Sequence, residues 1–237
     1  MFDNMVVLVT GGTGALGKHV SRRFLEGGAD VTATYIDEEE RRETEDFLSL
    51  RHLKQFHMEH VDVTNQSEVN DLITDIVEEH GHLDFVIHLV GGYVGGKPVH
   101  QHTEEEFDQM IDLNLRSAFT VAHEAVPELI EHERGRIITV SARAADDLSP
   151  GSGLYAASKQ ALQSMTEIMG KELNEEDVNV NAIVPSVIDT EANREAMPDA
   201  DVDDWVDPDR IADIIAFLCS DTAEPIHSDA IKIYGDS

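Results

Sequence analysis

A tyrosine and a lysine four residues apart, Tyr155 and Lys159, are the residues in this sequence best suited to acid–base chemistry. Residues four apart lie on one face of a helix, so the Lys159 ammonium can approach the Tyr155 phenol and stabilise its phenolate. A phenol is normally a very weak acid, and a neighbouring cation brings its proton transfer closer to neutral pH. The pair predicts proton exchange with a small-molecule oxygen, although the same spacing also occurs on ordinary helix surfaces.

A glycine-rich turn precedes this pair, with the sequence Thr10-Gly-Gly-Thr-Gly-Ala-Leu-Gly17. It follows an apolar run and precedes an amphipathic segment, which indicates a strand, a tight turn and a helix. Backbone amides and the positive helix end can then face a pyrophosphate, and glycines allow its close approach. Such a turn can be merely structural. Together with Tyr155 and Lys159, however, it indicates nicotinamide-dependent carbonyl chemistry.

Short apolar runs alternate with longer amphipathic segments along the chain, which predicts parallel strands joined by helices on both faces of a sheet. The predicted strands cover residues 5–10, 31–35, 55–60, 85–89, 136–140, 179–184 and 230–233. The predicted helices cover residues 15–26, 38–50, 67–80, 104–132, 154–173 and 208–220. We therefore expect a single doubly wound α/β domain over residues 1–237, with a mostly seven-stranded parallel sheet and ligands at the carboxyl ends of its strands.

The chain is strongly acidic, with 48 Asp and Glu against 17 Lys and Arg and a formal net charge of −31. Such a surface repels nucleic acid and anionic membranes. The acidic residues recur along the whole chain, whereas a site for a basic partner would be a localised patch. A lysine-poor, uniformly acidic surface resembles proteins of salt-loving organisms, in which concentrated salt screens the self-repulsion.

Cysteine usage and the apolar start of the chain favour a reducing cytoplasm. Cys219 is the only cysteine, so no intrachain disulfide can form. The apolar run at residues 5–9 is too short for a signal-peptide core or a membrane span.

Two close histidine pairs raise the question of a metal; they are His57 with His60 and His100 with His102. No cysteine and no His-Glu-x-x-His pattern accompanies them, so we predict no metal site.

The two motifs resemble those of the short-chain dehydrogenase/reductase family, which are Thr-Gly-x-x-x-Gly-x-Gly for the cofactor and Tyr-x-x-x-Lys for catalysis. Gly11 and Gly17 match the outer glycines, whereas Ala15 replaces the middle one and Gly14 precedes it. The resemblance covers essentially the whole chain and implies a Rossmann-type fold. It also implies an oxidoreductase that interconverts a carbonyl and an alcohol with NAD or NADP, and a homodimer or homotetramer packed through the two longest predicted helices.

By this resemblance, cofactor contacts fall at the ends of successive strands. The implied residues are Gly11, Thr13, Gly14, Ala15, Leu16, Gly17, Tyr35, Asp62, Val63, Val90, Gly91, Tyr155, Lys159, Pro185, Ile188 and Thr190. After the fourth predicted strand, His88-Leu-Val-Gly91 replaces the family's Asn-Asn-Ala-Gly, so the glycine is kept but the asparagine side chains are not.

The end of the second predicted strand bears on the choice between NAD and NADP, because an acidic residue there binds the ribose diol and a basic one the 2′-phosphate. Tyr35 stands at that place, and Asp37 and three glutamates follow it. This acidity favours NAD. Arg41 and Arg42 would favour NADP if their loop folds back, so both cofactors stay open.

The resemblance also implies the catalytic residues. Tyr155 would exchange a proton with the substrate oxygen, Lys159 would support it and bind the nicotinamide ribose, and Asn114 would hold a water in the proton relay. The family's fourth residue is a serine that orients the substrate oxygen. The usual spacing from the tyrosine falls on Ala142, so Ser141 becomes the catalytic candidate only through a one-residue loop difference or a local bulge.

Two alternatives follow from the missing serine. Residues 90–96 and 142–145 are similar to the corresponding segments of dihydropteridine reductase, a family member with an alanine at the serine position. The substrate would then be a quinonoid pterin or another conjugated acceptor. The second alternative is an NAD(P)-binding sensor that has lost turnover. A sugar-nucleotide epimerase usually carries a longer substrate-binding tail than this chain offers.

Overall fold

Seven parallel strands form one sheet in the computed structural model, which describes residues 1–48, 54–132 and 134–235. The strands are β1 (Val6–Thr10), β2 (Asp30–Tyr35), β3 (Phe56–His60), β4 (Phe85–His88), β5 (Gly135–Val140), β6 (Val178–Pro185) and β7 (Ala230–Ile233). Their order in the sheet is β3-β2-β1-β4-β5-β6-β7, and every neighbouring pair is parallel. The predicted seven-stranded, doubly wound sheet is confirmed.

The helices of the described ranges follow the prediction at most positions. They are α1 (Gly17–Glu26), α2 (Glu38–Leu48), α3 (Gln66–His80), α4 (Glu104–Ile111), α5 (Ser117–Glu131), α6 (Ala144–Asp147), α7 (Gly153–Glu172), α8 (Glu191–Ala196) and α9 (Pro208–Leu218). Residues 49 and 50, the end of the second predicted helix, lie outside the described residues. Within the described ranges, no helix combines the length and apolar character needed to cross a membrane.

The helix predicted over residues 104–132 is divided in the structure. A π-helical turn, Asp112–Arg116, separates α4 from α5. Single π-turns inside helices frequently occur at functional sites. The short helices α6 and α8 were not predicted, because four and six residues are too few to establish a helical period in the sequence.

The core lies on both faces of the sheet, and the alternation of side chains along β1 divides it. Val7 and Val9 belong to the hydrophobic cluster that includes α1 and α9, whereas Val6 and Leu8 belong to the cluster that includes α3 and α5. Successive side chains of a strand point to opposite faces, so a strand covered on both faces must be continuously apolar. All five residues of β1 are buried, which explains its apolar sequence.

Side-chain caps fix where several helices begin. Asn65 accepts a hydrogen bond from the main chain at the start of α3, and Asp207 does the same for α9. Thr103 and Glu106 form a reciprocal capping box at α4. Each such cap contributes on the order of 1 kcal/mol. The caps hold the helix starts against the sheet and thereby set the connecting loops.

The strand order places a crevice between β1 and β4. The chain passes from β1 to β2 and β3 and then returns to the other side of β1 as β4. In doubly wound sheets, ligands bind at the carboxyl ends of the strands where this reversal occurs. Thr10 at the end of β1 is registered beside His88 at the end of β4. The glycine turn and Gly91 follow these two strand ends directly.

Candidate active site

Tyr155 and Lys159 lie one turn apart near the start of α7. Tyr155 is half-buried, whereas Lys159 is only 5% exposed. The Lys159 ammonium donates a hydrogen bond to the Val140 carbonyl at the end of β5, with Nζ 2.8 Å from the oxygen. Burial lowers the pKa of Lys159 to about 8. The ammonium is therefore anchored at the strand end and is mostly protonated at neutral pH.

The Tyr155 phenol is less acidic than the sequence predicted. Burial raises the pKa of Tyr155 to about 12, and the neighbouring phenol of Tyr93 adds to the rise. The two rings pack edge to face, with centroids 5.0 Å apart. The spacing of Tyr155 and Lys159 predicts a stabilised phenolate, whereas burial and the Tyr93 phenol move the pKa of Tyr155 in the opposite direction. At neutral pH the phenol is protonated and can donate its proton.

Asn114 lies in the π-helical turn and is fully buried. Its Oδ1 accepts a hydrogen bond from the Gly92 N–H at 2.9 Å, and its Nδ2 donates to the Gly92 carbonyl at 3.0 Å. Nδ2 also lies 3.0 Å from the Ser158 hydroxyl oxygen on α7. One amide side chain thus joins the loop after β4 to the helix that carries Tyr155 and Lys159.

Gly91 lies where Asn114 and Lys159 meet. A Cβ atom at Gly91 would stand 2.8 Å from Asn114 Oδ1 and 2.8 Å from Lys159 Nζ. Both distances are shorter than ordinary Cβ contacts, so a side chain at Gly91 would force Asn114 or Lys159 to shift. Asn114 Oδ1 and Lys159 Nζ therefore border the same small space beside the backbone of Gly91.

Ser141 directly follows β5, but its hydroxyl is turned towards α7. The hydroxyl donates to the Lys159 carbonyl at 3.1 Å and lies 3.4 Å from Gln163 Oε1. Ser141 is 2% exposed, and the following residue, Ala142, is also buried. The hydrogen bonds of Ser141 thus connect the end of β5 to the helix backbone.

His88 links the glycine turn to the π-helical turn. Its Nδ1 lies 2.8 Å from Thr10 Oγ1, and its Nε2 lies 3.1 Å from Ser117 Oγ. Ser117 donates its own hydroxyl proton to the Leu113 carbonyl, so it accepts from His88 Nε2–H, and Nδ1 accepts from Thr10. Burial, with the positive charge of Lys159, lowers the pKa of His88 to about 3. A neutral imidazole therefore stands where the family places an asparagine.

The glycine turn leaves no room for side chains at two of its positions. A Cβ at Gly12 would stand 2.6 Å from the Ala33 Cβ, and a Cβ at Gly17 would overlap the Gly11 carbonyl oxygen. A Cβ at Gly14 would meet only that oxygen, at 3.4 Å. No acidic residue occupies the first turn of α1, so the positive helix end is available to an anion.

Two further contacts border the glycine turn. The Thr13 carbonyl accepts a hydrogen bond from Thr44 on α2 at 3.0 Å. A Cβ at Gly11 would stand 3.1 Å from the Val90 side chain, which brings the loop after β4 against the turn. Ala15 is exposed and Leu16 is half-buried, so the side chains of both residues are accessible at this turn, in addition to its backbone.

Tyr35 ends β2 within a cluster of charged residues. Its hydroxyl donates to Glu38 Oε1 at 3.2 Å. Arg41 donates to Glu38 Oε2 at 2.9 Å and to Glu45 Oε1 at 2.5 Å. The Arg41 guanidinium, a candidate partner for the 2′-phosphate of NADP, is thus paired with two carboxylates.

The remaining predicted residues lie at the ends of β3 and β6. Asp62 is exposed and accepts hydrogen bonds from Thr64, whereas Val63 is buried. At the end of β6, the Pro185 carbonyl accepts a hydrogen bond from Arg143 N. After β6, Ile188 pairs with Val206, and the Thr190 side chain caps α8. The contacts described above join the glycine turn, the loop after β4, Asn114 and Lys159 into one continuous site.

Sequence reasoning missed three residues that help to form this site. Gly12 packs as tightly as Gly17 and could have been found from its place in the glycine run. Tyr93 is the only aromatic residue of the glycine-rich segment after β4. His88 was recognised only as a departure from the family pattern, since nothing local in the sequence reveals its bonds to Thr10 and Ser117.

Comparisons with known proteins agree with this geometry. The family model described as short chain dehydrogenase matches residues 5–201. A 3-oxoacyl-[acyl-carrier-protein] reductase of Thermotoga maritima is 27% identical over 245 aligned positions, which cover 98% of this chain and 97% of that protein. An uncharacterised oxidoreductase of Staphylococcus aureus is 30% identical over 190 positions, which cover 80% of each chain.

A solved structure of a short-chain type dehydrogenase/reductase from Mycobacterium ulcerans is similar along the whole fold. It superposes with a TM-score of 0.92 at 25% identity, covering 99% of this chain and 90% of that one. The family model, the relatives and the architecture agree. The chain therefore belongs to the short-chain dehydrogenase/reductase family, whose members are NAD(P)-dependent oxidoreductases.

Proposed function

We propose that this enzyme reduces a small-molecule carbonyl to an alcohol, with Tyr155 as the proton donor. The observation that carries the proposal is the convergence of Lys159 and Asn114 at Gly91, on the helix that presents Tyr155. A phenol whose pKa is raised to about 12 is protonated at neutral pH, which is the state in which it can donate a proton to a carbonyl oxygen.

The glycine turn and the residues around Gly91 fit a nicotinamide dinucleotide. The close backbone packing at Gly12 and Gly17 and the unopposed positive end of α1 suit a pyrophosphate. We assign the adenosine side to Tyr35, Asp62 and Val63, and the nicotinamide side to the residues around Gly91 and after β6. When bound, the nicotinamide supplies or accepts the hydride.

Three residues of the chain then donate and replace the proton: Tyr155, Lys159 and Asn114. Tyr155 donates its phenolic proton to the carbonyl oxygen and is left as a phenolate. Lys159 is mostly protonated at neutral pH and lies one turn away, so its positive charge stabilises the phenolate that forms. Asn114, fixed by Gly92 and Ser158, holds the water through which the phenol is reprotonated.

The charges at the end of β2 support NAD over NADP. A 2′-phosphate there would meet Glu38 and Glu45, and Arg41 is already bound to both carboxylates. A ribose diol carries no charge and can donate to a carboxylate. The preference for NAD is therefore part of the proposal.

Two substrate classes have support. The Thermotoga relative is named a 3-oxoacyl reductase, which suggests an acyl thioester carrying a ketone. The second class is a quinonoid pterin or another conjugated acceptor. It is favoured by the engagement of the Ser141 hydroxyl with the Lys159 carbonyl, because such a site must work without a substrate-orienting serine.

We also propose a homodimer or homotetramer in the cytoplasm. Phe107 on α4, Phe119 on α5 and Ile168 on α7 are large exposed apolar residues on the helices expected to form the interface. Exposed apolar surface of this kind often marks contacts between subunits. The absence of any second cysteine is consistent with a reducing compartment.

Replacing Tyr155 by Phe should lower kcat by at least roughly 100-fold, because the proton donor is lost. Nicotinamide absorbance would be followed with both cofactors against aldehydes, ketones, acyl thioesters and quinonoid pterins, and cofactor affinity should be preserved. Tyr93→Phe is the matched variant, since it keeps the ring contact with Tyr155 and should retain turnover. Equal activity of Tyr155→Phe and the parent would exclude Tyr155 as the donor. Cofactor binding without turnover of any class would favour a sensor.

The catalytic role of Ser141 stays a prediction, and its contacts favour a positioning role. Ser141→Ala should lower Tm by roughly 2–4 °C, the effect of losing about 1 kcal/mol in a chain of this size, while kcat is unchanged. Ala142→Ser is the companion variant, because it places a hydroxyl at the family's usual spacing. A fall in kcat of roughly 100-fold in Ser141→Ala would instead identify its hydroxyl as catalytic.

Replacing Gly17 by Ala should weaken cofactor binding by roughly 10-fold or more. The added methyl overlaps the Gly11 carbonyl oxygen, and such overpacking costs about 1–3 kcal/mol. Gly14→Ala is the control, since its methyl makes only an ordinary contact. Dissociation constants for NADH would be measured by fluorescence titration, with circular dichroism as the check on folding. An affinity of Gly17→Ala equal to that of the parent protein would argue against a cofactor site at this turn.

The acidic surface leads us to propose adaptation to high salt. The Debye length shrinks from about 30 Å at 0.01 M salt to about 3 Å at 1 M, so repulsion among the acidic groups falls steeply. Thermal unfolding should therefore give a clearly higher Tm in molar KCl than in dilute buffer. Glycerol at equal osmolarity serves as the uncharged control. Equal Tm values across these salt concentrations would refute the proposal.

A further inference from the structure

Two histidines and a buried aspartate lie close together at the amino end of β4, on the opposite side of the sheet from the strand ends that form the candidate active site. Asp84 immediately precedes β4, His82 lies between α3 and β4, and His132 directly follows α5. One ligand atom from each residue lies within 4.8 Å of the other two. The active-site residues lie at the carboxyl ends of the strands, whereas this cluster lies at the amino end of β4. It is therefore a separate feature of the molecule.

The Asp84 carboxylate is held rigidly and is only 2% exposed. Its Oδ2 accepts a hydrogen bond from the Val6 N–H at 2.8 Å and lies 3.2 Å from His82 Nε2. Its Oδ1 lies 3.3 Å from His132 Nε2. A buried carboxylate requires a positive partner. Among the described residues, the basic side chains within ion-pair distance of Asp84 are these two histidines.

His82 faces hydrogen-bond acceptors with both of its ring nitrogens. Nδ1 lies 3.2 Å from the His80 carbonyl oxygen, and Nε2 lies 3.2 Å from Asp84 Oδ2 and 3.4 Å from the Asn4 carbonyl oxygen. A neutral imidazole has one N–H, so when Nδ1 donates to the carbonyl, the Nε2 lone pair points at a carboxylate oxygen. A cation between Nε2 and the carboxylate removes this repulsion. An Nδ1–H bond to a main-chain carbonyl is also the usual support of a metal-bound histidine.

Two helix ends add negative potential at the same place. α3 ends at His80 and α5 ends at Glu131, so His82 and His132 follow the carboxyl ends of two helices. Each helix carries the equivalent of about half a negative charge at that end. Converging helix ends and a buried carboxylate together favour a bound cation.

We propose that His82, Asp84 and His132 bind a divalent transition metal of the zinc class. Imidazole nitrogens and a carboxylate oxygen are common zinc ligands, and a tetrahedral zinc ion separates its ligand atoms by about 3.3 Å. The two His–Asp pairs have separations of 3.2 and 3.3 Å, each to a different oxygen of the Asp84 carboxylate, so both carboxylate oxygens face the space between the imidazoles. Both imidazoles are partly exposed, so water can complete the coordination sphere. The ion ties the loop after α3 to the end of α5.

The test uses the full chain after removal of metals with a chelator. Co²⁺ is added and the visible absorption of tetrahedral cobalt is recorded, and Zn²⁺ is added and Tm is measured. Both titrations are run in molar KCl with excess Mg²⁺, which occupies exposed carboxylates but competes poorly for imidazole. His132→Gln and His82→Gln each remove one ligand and leave the buried Asp84 in place. His123→Gln is the matched control, because His123 also lies on α5 near a carboxylate, with Nε2 3.8 Å from Glu124.

The parent protein and His123→Gln should show the cobalt bands, and zinc at about 100 times its Kd should raise their Tm by roughly 5–10 °C. His132→Gln and His82→Gln should bind zinc at least roughly 10-fold more weakly. The proposal is overturned if the parent shows neither effect, or if both ligand variants bind as the parent does. Dependence of Tm on pH without any effect of metal would also overturn it, leaving only an ion pair of protonated histidine with Asp84. Turnover is not measured, so the result is independent of the proposed function.

Discussion

The burial of one ammonium group, Lys159, is the constraint on which the site depends. A charged amine at 5% exposure is stable only when its hydrogen bonds are satisfied, and here the Val140 carbonyl accepts one of them. The backbone of Gly91 packs beside the ammonium, and a Cβ atom at Gly91 would stand 2.8 Å from Lys159 Nζ. Burial also lowers the pKa of Lys159 to about 8. Because this value still lies above neutral pH, the amine keeps its charge there.

The surrounding elements are connected to this position by polar contacts rather than by apolar packing alone. Asn114 joins the loop after β4 to α7, and Ser141 joins the end of β5 to the carbonyl of Lys159 itself. His88 extends the network to Thr10 at the start of the glycine turn and to Ser117 after the π-helical turn. Buried polar networks that are fully satisfied specify one arrangement. The network thus connects the glycine turn to the helix that carries Tyr155 through a common set of strand ends.

The sequence predicts those parts of the structure that depend on local patterns. The strand β1 is buried on both faces, and its first four residues form a continuous apolar run. The strand β6 is equally buried and is apolar except at Asn179 and Asn181. The glycine turn is visible because backbone packing excludes side chains at Gly12 and Gly17. The spacing of Tyr155 and Lys159 correctly predicts a shared helix, but not the direction in which the pKa of Tyr155 moves. That direction depends on burial, which is a property of the folded chain.

The remaining features depend on contacts between residues that are distant in the sequence. The π-helical turn could not be predicted from its own residues, because Asn114 is held there by Gly92 and Ser158. The direction of the Ser141 hydroxyl is likewise decided by α7. The cluster of His82, Asp84 and His132 escaped the search for histidine pairs, because His132 is brought to the other two only by the packing of α3 against α5.

The overall charge and the local charges of the site act on an anionic cofactor in opposite directions. A net charge of −31 repels a dinucleotide at long range, whereas the positive end of α1, free of acidic residues in its first turn, attracts its pyrophosphate at short range. Salt shortens the range of the first effect to about 3 Å at 1 M, but it scarcely screens groups in direct contact with the ligand. If this surface is adapted to salt, the same salt also suppresses the repulsion of the cofactor and leaves recognition to short-range contacts, for which the glycine turn and the residues at the strand ends are the proposed partners.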